Sequence, residues 1–259
     1  MSDDAYAVMY NPAGLIQMTK QQVALTHWIE LEGISSQFLS YGYPFSIDQT
    51  YAVSLIYRQV PLIQNIFTEE SVQVYDLVFG FSGAFRLEDL YPGLSLGITL
   101  KGVHAVLGPH KALAPALDMG VLVRELPFHS KVALVIQNVG PAITFINSGD
   151  PLPLGFRLAA SSVTFQDKQK EFLLALDLAQ SIDHLPKIKM GAEFTYADFL
   201  AFRGGYVLDL GASVRGLALG LGGKVTLEGI RYAIDYAYQP FYWKESNNPT
   251  HILSLSAVF

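Results

Sequence analysis

The chain has 259 residues and no cysteine. That excludes disulfides and thiolate metal sites, and it fits passage through an oxidising periplasm. Charge is scarce too. Asp, Glu, Lys and Arg make up 15%, against about 25% in ordinary soluble domains. There is no basic excess, and the formal net charge of −6 argues against nucleic acid as a partner. No apolar run is long enough to form a transmembrane helix. No linker or composition shift marks a second domain, and the length suits one large all-β unit. The opening MSDDAYAVMYNPAGL lacks the basic and apolar regions of a signal peptide. Either a leader has been removed, with Met1 and Ser2 added, or the sequence begins inside a longer natural chain.

What the chain has is alternation. Ile230, Tyr232, Ile234, Tyr236 and Tyr238 are large and apolar or aromatic, while Arg231, Ala233, Asp235 and Ala237 between them are small or charged. The closing THILSLSAVF repeats the pattern, with Leu253, Leu255, Ala257 and Phe259 on one face. A side-chain period of two means strand. Similar runs occur around Tyr51–Arg58, Tyr75–Ser82, Leu94–Lys101, Leu117–Arg124, Leu154–Ala159, Phe172–Ala179, Ile188–Tyr196, Phe202–Tyr206 and Leu217–Gly222. Less regular runs lie near Val23–Glu32, Ile34–Tyr43 and Lys131–Asn138. Together they predict about 14 strands of roughly ten residues, an even number as single-chain barrels require. A soluble sandwich would cover its second face with Lys, Glu and Thr. Here that face is mostly Gly, Ala and Ser, with about one charge per strand. The pattern therefore predicts a transmembrane antiparallel up-and-down β-barrel in the bacterial outer membrane, with lipid outside and a polar lumen inside.

Connections at one rim are expected at Gly42–Asp48, Arg86–Gly93, Arg124–Ser130, Gln166–Lys170, Tyr196–Leu200 and Thr226–Gly229. With both termini periplasmic, this rim faces the periplasm and its turns are short. Longer outer connections are expected at Gln59–Ser71, His104–Pro115, Val139–Pro153, Gln180–Pro186, Asp209–Val214 and Gln239–Thr250. Pro92, Pro109, Pro127, Pro186 and Pro240 fall at these strand ends, where proline does least damage. Tyr41, Tyr43, Phe45, Tyr91, Phe199, Tyr238, Phe241, Tyr242 and Trp243 form the expected interfacial girdle.

The same register puts twelve charges on the inward face. Glu30, Asp76, Asp118, Asp177, Glu193 and Asp235 are negative; Arg58, Lys101, Arg157, Lys189, Arg203 and Arg231 are positive. They can select solutes or pair across neighbouring strands and stiffen the wall. The balance of six against six favours pairing, because a selective pore usually shows one sign. Catalytic and metal patterns are missing. The six histidines show no HExxH spacing, and ALGLGG at Ala218–Gly223 lies in an alternating run with no helix after it. Ser82 in GFSGAF lacks the GxSxG pattern. No enzyme activity, cofactor or metal is expected.

The segment DDAYAVMYNPAGL, Asp3 to Leu15, resembles the hatch of the long-chain fatty-acid transporter (FadL) family, matching it at Asp3, Asp4, Ala5, Ala7, Asn11, Pro12, Ala13 and Leu15. GITLKG at Gly97–Gly102, VIQNVG at Val135–Gly140, LPLGFRLAAS at Leu152–Ser161, GAEF at Gly191–Phe194, FRGGY at Phe202–Tyr206 and IDYAY at Ile234–Tyr238 resemble the PorV/PorQ branch of the same superfamily. The resemblance implies a 14-stranded outer-membrane barrel (residues 21–259) plugged by an N-terminal hatch (residues 1–20, partial here). For the fatty-acid branch it implies uptake of hydrophobic small molecules, with lateral exit through the wall. For the PorV branch it implies docking of secreted proteins. The outer connections are short beside those that build the fatty-acid transporters' external groove. The terminal Phe259 ends a strand whose outward residues match the signal read by barrel-assembly machinery in such families.

Residue chemistry fits a plug. Asp3–Leu15 shows no period of two. Pro12 fixes its own backbone angle and biases Asn11 toward extended backbone. Asn11 can bond nearby backbone groups, and Gly14 permits a tight bend. Asp3 and Asp4 are expected to reach inward Arg58, Lys101, Arg157 or Arg203. The leading expectation is passive diffusion of small hydrophobic molecules through the plugged lumen, with secretion docking or a closed structural barrel as the alternatives.

Overall fold

The computed structural model describes residues 2–30, 33–64, 71–211, 214–239 and 249–259. The wall strands are β1 (Gln22–Ile29), β2 (Ser35–Ser46), β3 (Gln49–Gln64), β4 (Ser71–Arg86), β5 (Leu94–Leu107), β6 (His110–Leu126) and β7 (Ser130–Val139). A two-stranded ribbon follows, β8 (Ile143–Thr144) and β9 (Gly149–Asp150). The wall resumes with β10 (Gly155–Gln166), β11 (Lys170–Ser181), β12 (Lys187–Tyr196), β13 (Leu200–Asp209), β14 (Val214–Leu227), β15 (Ile230–Gln239) and β16 (Thr250–Val258). Every wall strand pairs with its chain neighbours, β7 pairs with β10, and β1 closes on β16 to give a 14-stranded antiparallel barrel. Closure removes the unpaired edges that an open sheet would leave in hydrocarbon.

Burial follows the alternation. Ala52 is 3% exposed and Val53 50%; Thr99 is 2% exposed and Leu100 60%. Phe79, Phe81, Leu217, Leu219, Leu221 and Ile234 all point outward and are exposed. This phase puts the apolar side chains on the lipid side and the Gly, Ala, Ser and charged positions inside. The closing seam matches Gln22 with Val258, so β1 begins and β16 ends at one rim. There the Phe259 N–H donates to the Gln21 carbonyl at 3.0 Å.

Several connections are shorter than expected: β3, for one, runs on through the expected Gln59–Ser71 connection as far as Gln64. Instead of a loop at His104–Pro115, β5 and β6 run on to a two-residue hairpin at Gly108 and Pro109. Gly108 takes φ 58°, the left-handed conformation such turns need. Inward Ala105, Ala112, Ala114 and Ala116 continue the alternation there. They are too small to register as a strand beside His104, Lys111 and Pro115. At Gly42–Asp48, β2 persists to Ser46 because a register shift between Pro44 and Ser46 accommodates the proline. Parts of the expected runs at Val23–Glu32, Gln59–Ser71, Asp209–Val214 and Gln239–Thr250, with Pro240, Phe241, Tyr242 and Trp243, lie outside the described residues. Tyr43, Phe45, Tyr91 and Phe199 are exposed near the rim that carries the chain ends.

Residues 140–154 connect β7 to β10 and carry the ribbon. Ile143 and Leu152 pack on the inward alanines of β5 and β6, with Phe145 beside them. This connection therefore leans into the barrel at the far rim.

Candidate functional site: the lumen and the N-terminal segment

Residues 2–18 contain a short helix α1 (Ala7–Tyr10) and a 3-10 helix (Pro12–Gln17). Between them Asn11 is extended, and its side-chain oxygen accepts a hydrogen bond from the Ala13 N–H at 3.0 Å. That caps the 3-10 helix, with Pro12 at its first position, where a missing N–H costs nothing. Ala13 and Leu15 are fully buried.

The segment sits against inward-facing groups of β2–β6. Gly97 and Gly120 stand opposite each other on β5 and β6. A Cβ on Gly97 would lie 2.0 Å from the Ala13 nitrogen, and one on Gly120 would lie 2.0 Å from the Asn11 side-chain oxygen. The two glycines thus form a notch that receives the Asn-Pro-Ala turn. The Asn11 amide donates to the Val121 carbonyl at 3.2 Å. On the β2 side, the Ala5 N–H donates to Gln22 and the Ser40 hydroxyl to the Ala5 carbonyl, at 3.1 and 2.8 Å. Lys131 and Gln137 of β7 donate to the Gln17 side chain and the Met9 carbonyl, at 2.6 and 3.2 Å. The Tyr6 hydroxyl reaches the seam, 3.1 and 2.8 Å from the Leu25 and Leu255 carbonyls. Leu15, Ile16, Ala5, Ala7 and Val8 share one apolar cluster with Ala24, Phe38, Ala52 and Ala84 of the wall.

Asp3 and Asp4 do not pair with the wall cations, contrary to expectation. Asp4 accepts instead from the Ser2 hydroxyl and from the Tyr6 N–H at 3.0 Å. Asp3 is exposed. The four cations that could have received them are already held by wall carboxylates. Arg58 meets Glu30 at 3.0 Å, Lys101 meets Asp118 at 2.5 Å, and Arg157 meets Asp177 at 3.2 Å. Arg203 meets both Glu193 and Asp235. Nine of the twelve charges therefore pair among themselves. Asp76 stands opposite Arg58 and Lys189 opposite Asp177 in the ladder. Arg231 pairs at the rim with Asp198, a turn residue, at 3.2 Å. Asp198 also takes Lys224 at 3.0 Å.

Two features were not read from the sequence. The first is the role of the β14 glycines. Arg203 on β13 reaches Asp235 on β15 across β14, where Gly222 stands opposite Asp235. A Cβ on Gly222 would lie 2.2 Å from the Asp235 carboxylate and 2.8 Å from the Arg203 guanidinium. Arg203 in FRGGY and Asp235 in IDYAY, both inward by the alternation, were the available signal. The second is Asn138, in left-handed backbone (φ 61°) where the β6–β7 register shifts beside Asp118. Its N–H donates to Asp118 at 2.8 Å, its side-chain oxygen accepts from Lys101 at 2.8 Å, and its amide donates to the Pro153 carbonyl at 3.0 Å. Asn tolerates this conformation better than most residues.

Space remains beside the segment. A cavity of about 820 Å³ lies on its far-rim side, lined by Met9, Trp28, Ile34, Ile252 and Ala237 among others. A second, of about 710 Å³ and more polar, opens toward the rim of the chain ends. The fold and its lumen define a closed β-barrel of the outer-membrane type. No protein-family model and no curated protein sequence matches the chain. Solved structures do. The CymD monoaromatic hydrocarbon channel superposes with TM-score 0.69 at 13% identity, over 98% of this chain and 92% of that one. The Ralstonia pickettii toluene transporter TbuX gives 0.64 at 13%, over 98% and 92%. A Pseudomonas aeruginosa FadL homologue gives 0.62 at 10%, over 100% and 94%. The chain is similar in fold to channels of the FadL family.

Proposed function

We propose that this chain is a bacterial outer-membrane channel that passes small hydrophobic molecules by passive diffusion, with no chemical step. The observation that carries the reading is the largely apolar cavity left beside an N-terminal segment packed on the inner wall. A continuous pore would admit sugars and ions. A lumen narrowed by residues 2–18 favours solutes that can shed water. Residues 1–20 act as the plug and 21–259 as the conduit. The similar folds of hydrocarbon and toluene channels support the same reading. Barrel-assembly machinery inserts the chain, reading Phe259 at its end. The test is uptake into proteoliposomes of a labelled aromatic hydrocarbon against a sugar of equal mass. Faster entry of the hydrocarbon than into protein-free vesicles, with no gain for the sugar, is expected. Equal acceleration of both contradicts the reading.

Motifs such as VIQNVG and LPLGFRLAAS support a second reading, a barrel that docks secreted proteins as in the PorV/PorQ branch. Genes for secretion components beside this one would favour it.

A further inference from the structure

The two cavities share Ser2, Asp4, Tyr6, Arg203 and Asp235 in their linings, so these residues stand where the cavities meet. Among the described residues, the charged groups of the far-rim cavity are Asp4, Glu30, Arg58, Arg203 and Asp235. Carboxylates outnumber guanidiniums by three to two. Both arginines have carboxylate partners: the half-exposed Arg58 meets Glu30 at 3.0 Å, and Arg203, at the junction, is held by Glu193 on one side and Asp235 on the other. Gly222 keeps the second contact open, since a side chain there would stand between the partners. Some neighbouring polar hydrogens are committed as well. The Trp28 indole N–H donates to Glu30 at 2.9 Å, and the Tyr6 hydroxyl is held at the seam carbonyls. Thr26 and Ser254 bond each other at 2.9 Å.

Among the described residues, an anionic solute at the junction therefore meets a net negative lining whose cation, Arg203, is held by two carboxylates. To gain Arg203 it must displace a carboxylate and leave that charge unpaired in a confined, largely apolar space. An uncharged solute displaces nothing. We propose that the junction at Asp4, Arg203 and Asp235 makes this passage selective for uncharged apolar solutes over carboxylates of the same size. The proposal rests on the channel reading above and narrows its substrate class: aromatic hydrocarbons and alcohols are accepted, and fatty-acid anions are excluded.

Trp28 lines the cavity and supplies the readout. The full chain in nanodiscs at neutral pH is titrated with 4-bromobenzyl alcohol and with 4-bromobenzoate, whose bromine quenches indole fluorescence. The Trp28→Phe protein identifies the part of the signal that belongs to this cavity. The alcohol is expected to bind about tenfold more tightly than the benzoate. In the Glu193→Gln, Asp235→Asn double variant Arg203 is released, and the gap should close to about threefold or less. Heat-modifiable mobility checks that the variant is folded; if it is not, the wild-type comparison decides alone. Equal or tighter binding of benzoate by the wild type overturns the selectivity and leaves the channel reading standing. Quenching by neither probe overturns both.

Discussion

Gly97 and Gly120 hold the N-terminal turn by what they lack. Their missing side chains leave a notch into which Asn11, Pro12 and Ala13 fit with no room to spare. Gly97→Ala sets a methyl against backbone that has little freedom to move, and overpacking of this kind costs about 1–3 kcal/mol. We expect residues 2–18 of that variant to be cleaved faster by protease while the barrel stays heat-modifiable. Unchanged cleavage would place the turn elsewhere. Asp118 is fully buried and gathers Lys101 and the Asn138 N–H. Asp118→Ala leaves the part-buried Lys101 ammonium without its carboxylate, at a cost of up to about 3 kcal/mol, the low end for breaking a buried pair. The midpoint of urea unfolding in lipid vesicles should fall accordingly. Asp167, in the β10–β11 turn, accepts from the N–H groups of Gln169 and Lys170 at 2.8 and 2.7 Å. These bonds hold its carboxyl below the ordinary value of 3.8. Its contribution is thus present above pH 3.8 and lost as pH falls through the depressed value. An Asp167→Asn protein should lose part of the acid dependence of unfolding in that window. At this scale the sequence was half legible. The charges and the Asn-Pro turn stood out, but the glycines that receive them did not, because a residue's absence of side chain has meaning only against a partner.

Each wall strand has one face for lipid and one for the lumen, and β5 states the rule most simply. Leu94, Leu96, Ile98 and Leu100 point out; Ser95, Gly97 and Thr99 point in. Ile98→Arg should cost about 2–4 kcal/mol if the position lies near the bilayer midplane. A nitroxide scan of β5 should find oxygen access at the even positions only; the opposite phase would overturn the register. Strand existence and phase were readable because the period of two persists wherever the outward residue is large. Strand ends were less so. Pro44 and Pro115 sit inside strands, at a register shift in one case and opposite Gly102 in the other. Proline near a histidine or lysine reads as a loop until the pairing partner is known. The last element carries its own expectation. Phe259 is exposed and its N–H is bonded to Gln21, so removing it should lower the amount of folded protein in the outer membrane. Equal levels of heat-modifiable protein would refute a role in assembly.

At the scale of the whole molecule, the barrel is an outer shell around a separately anchored segment. The wall supplies notch, clamps and seam; the segment supplies Tyr6, Asn11 and Leu15. The barrel class was legible because the chemistry of lipid and lumen imposes alternation on every strand. The asymmetry of the interior was not, since it arises from contacts between residues as distant as Tyr6 and Leu255. A segment so placed should obstruct the lumen. Single-channel conductance in planar bilayers tests it most directly, comparing the wild type with a variant lacking residues 2–15 and a second in which Asn11 and Pro12 are both replaced by glycine. Larger or more frequent openings are expected in both variants, with the deletion the stronger. Conductance equal to the wild type in two folded variants would contradict it.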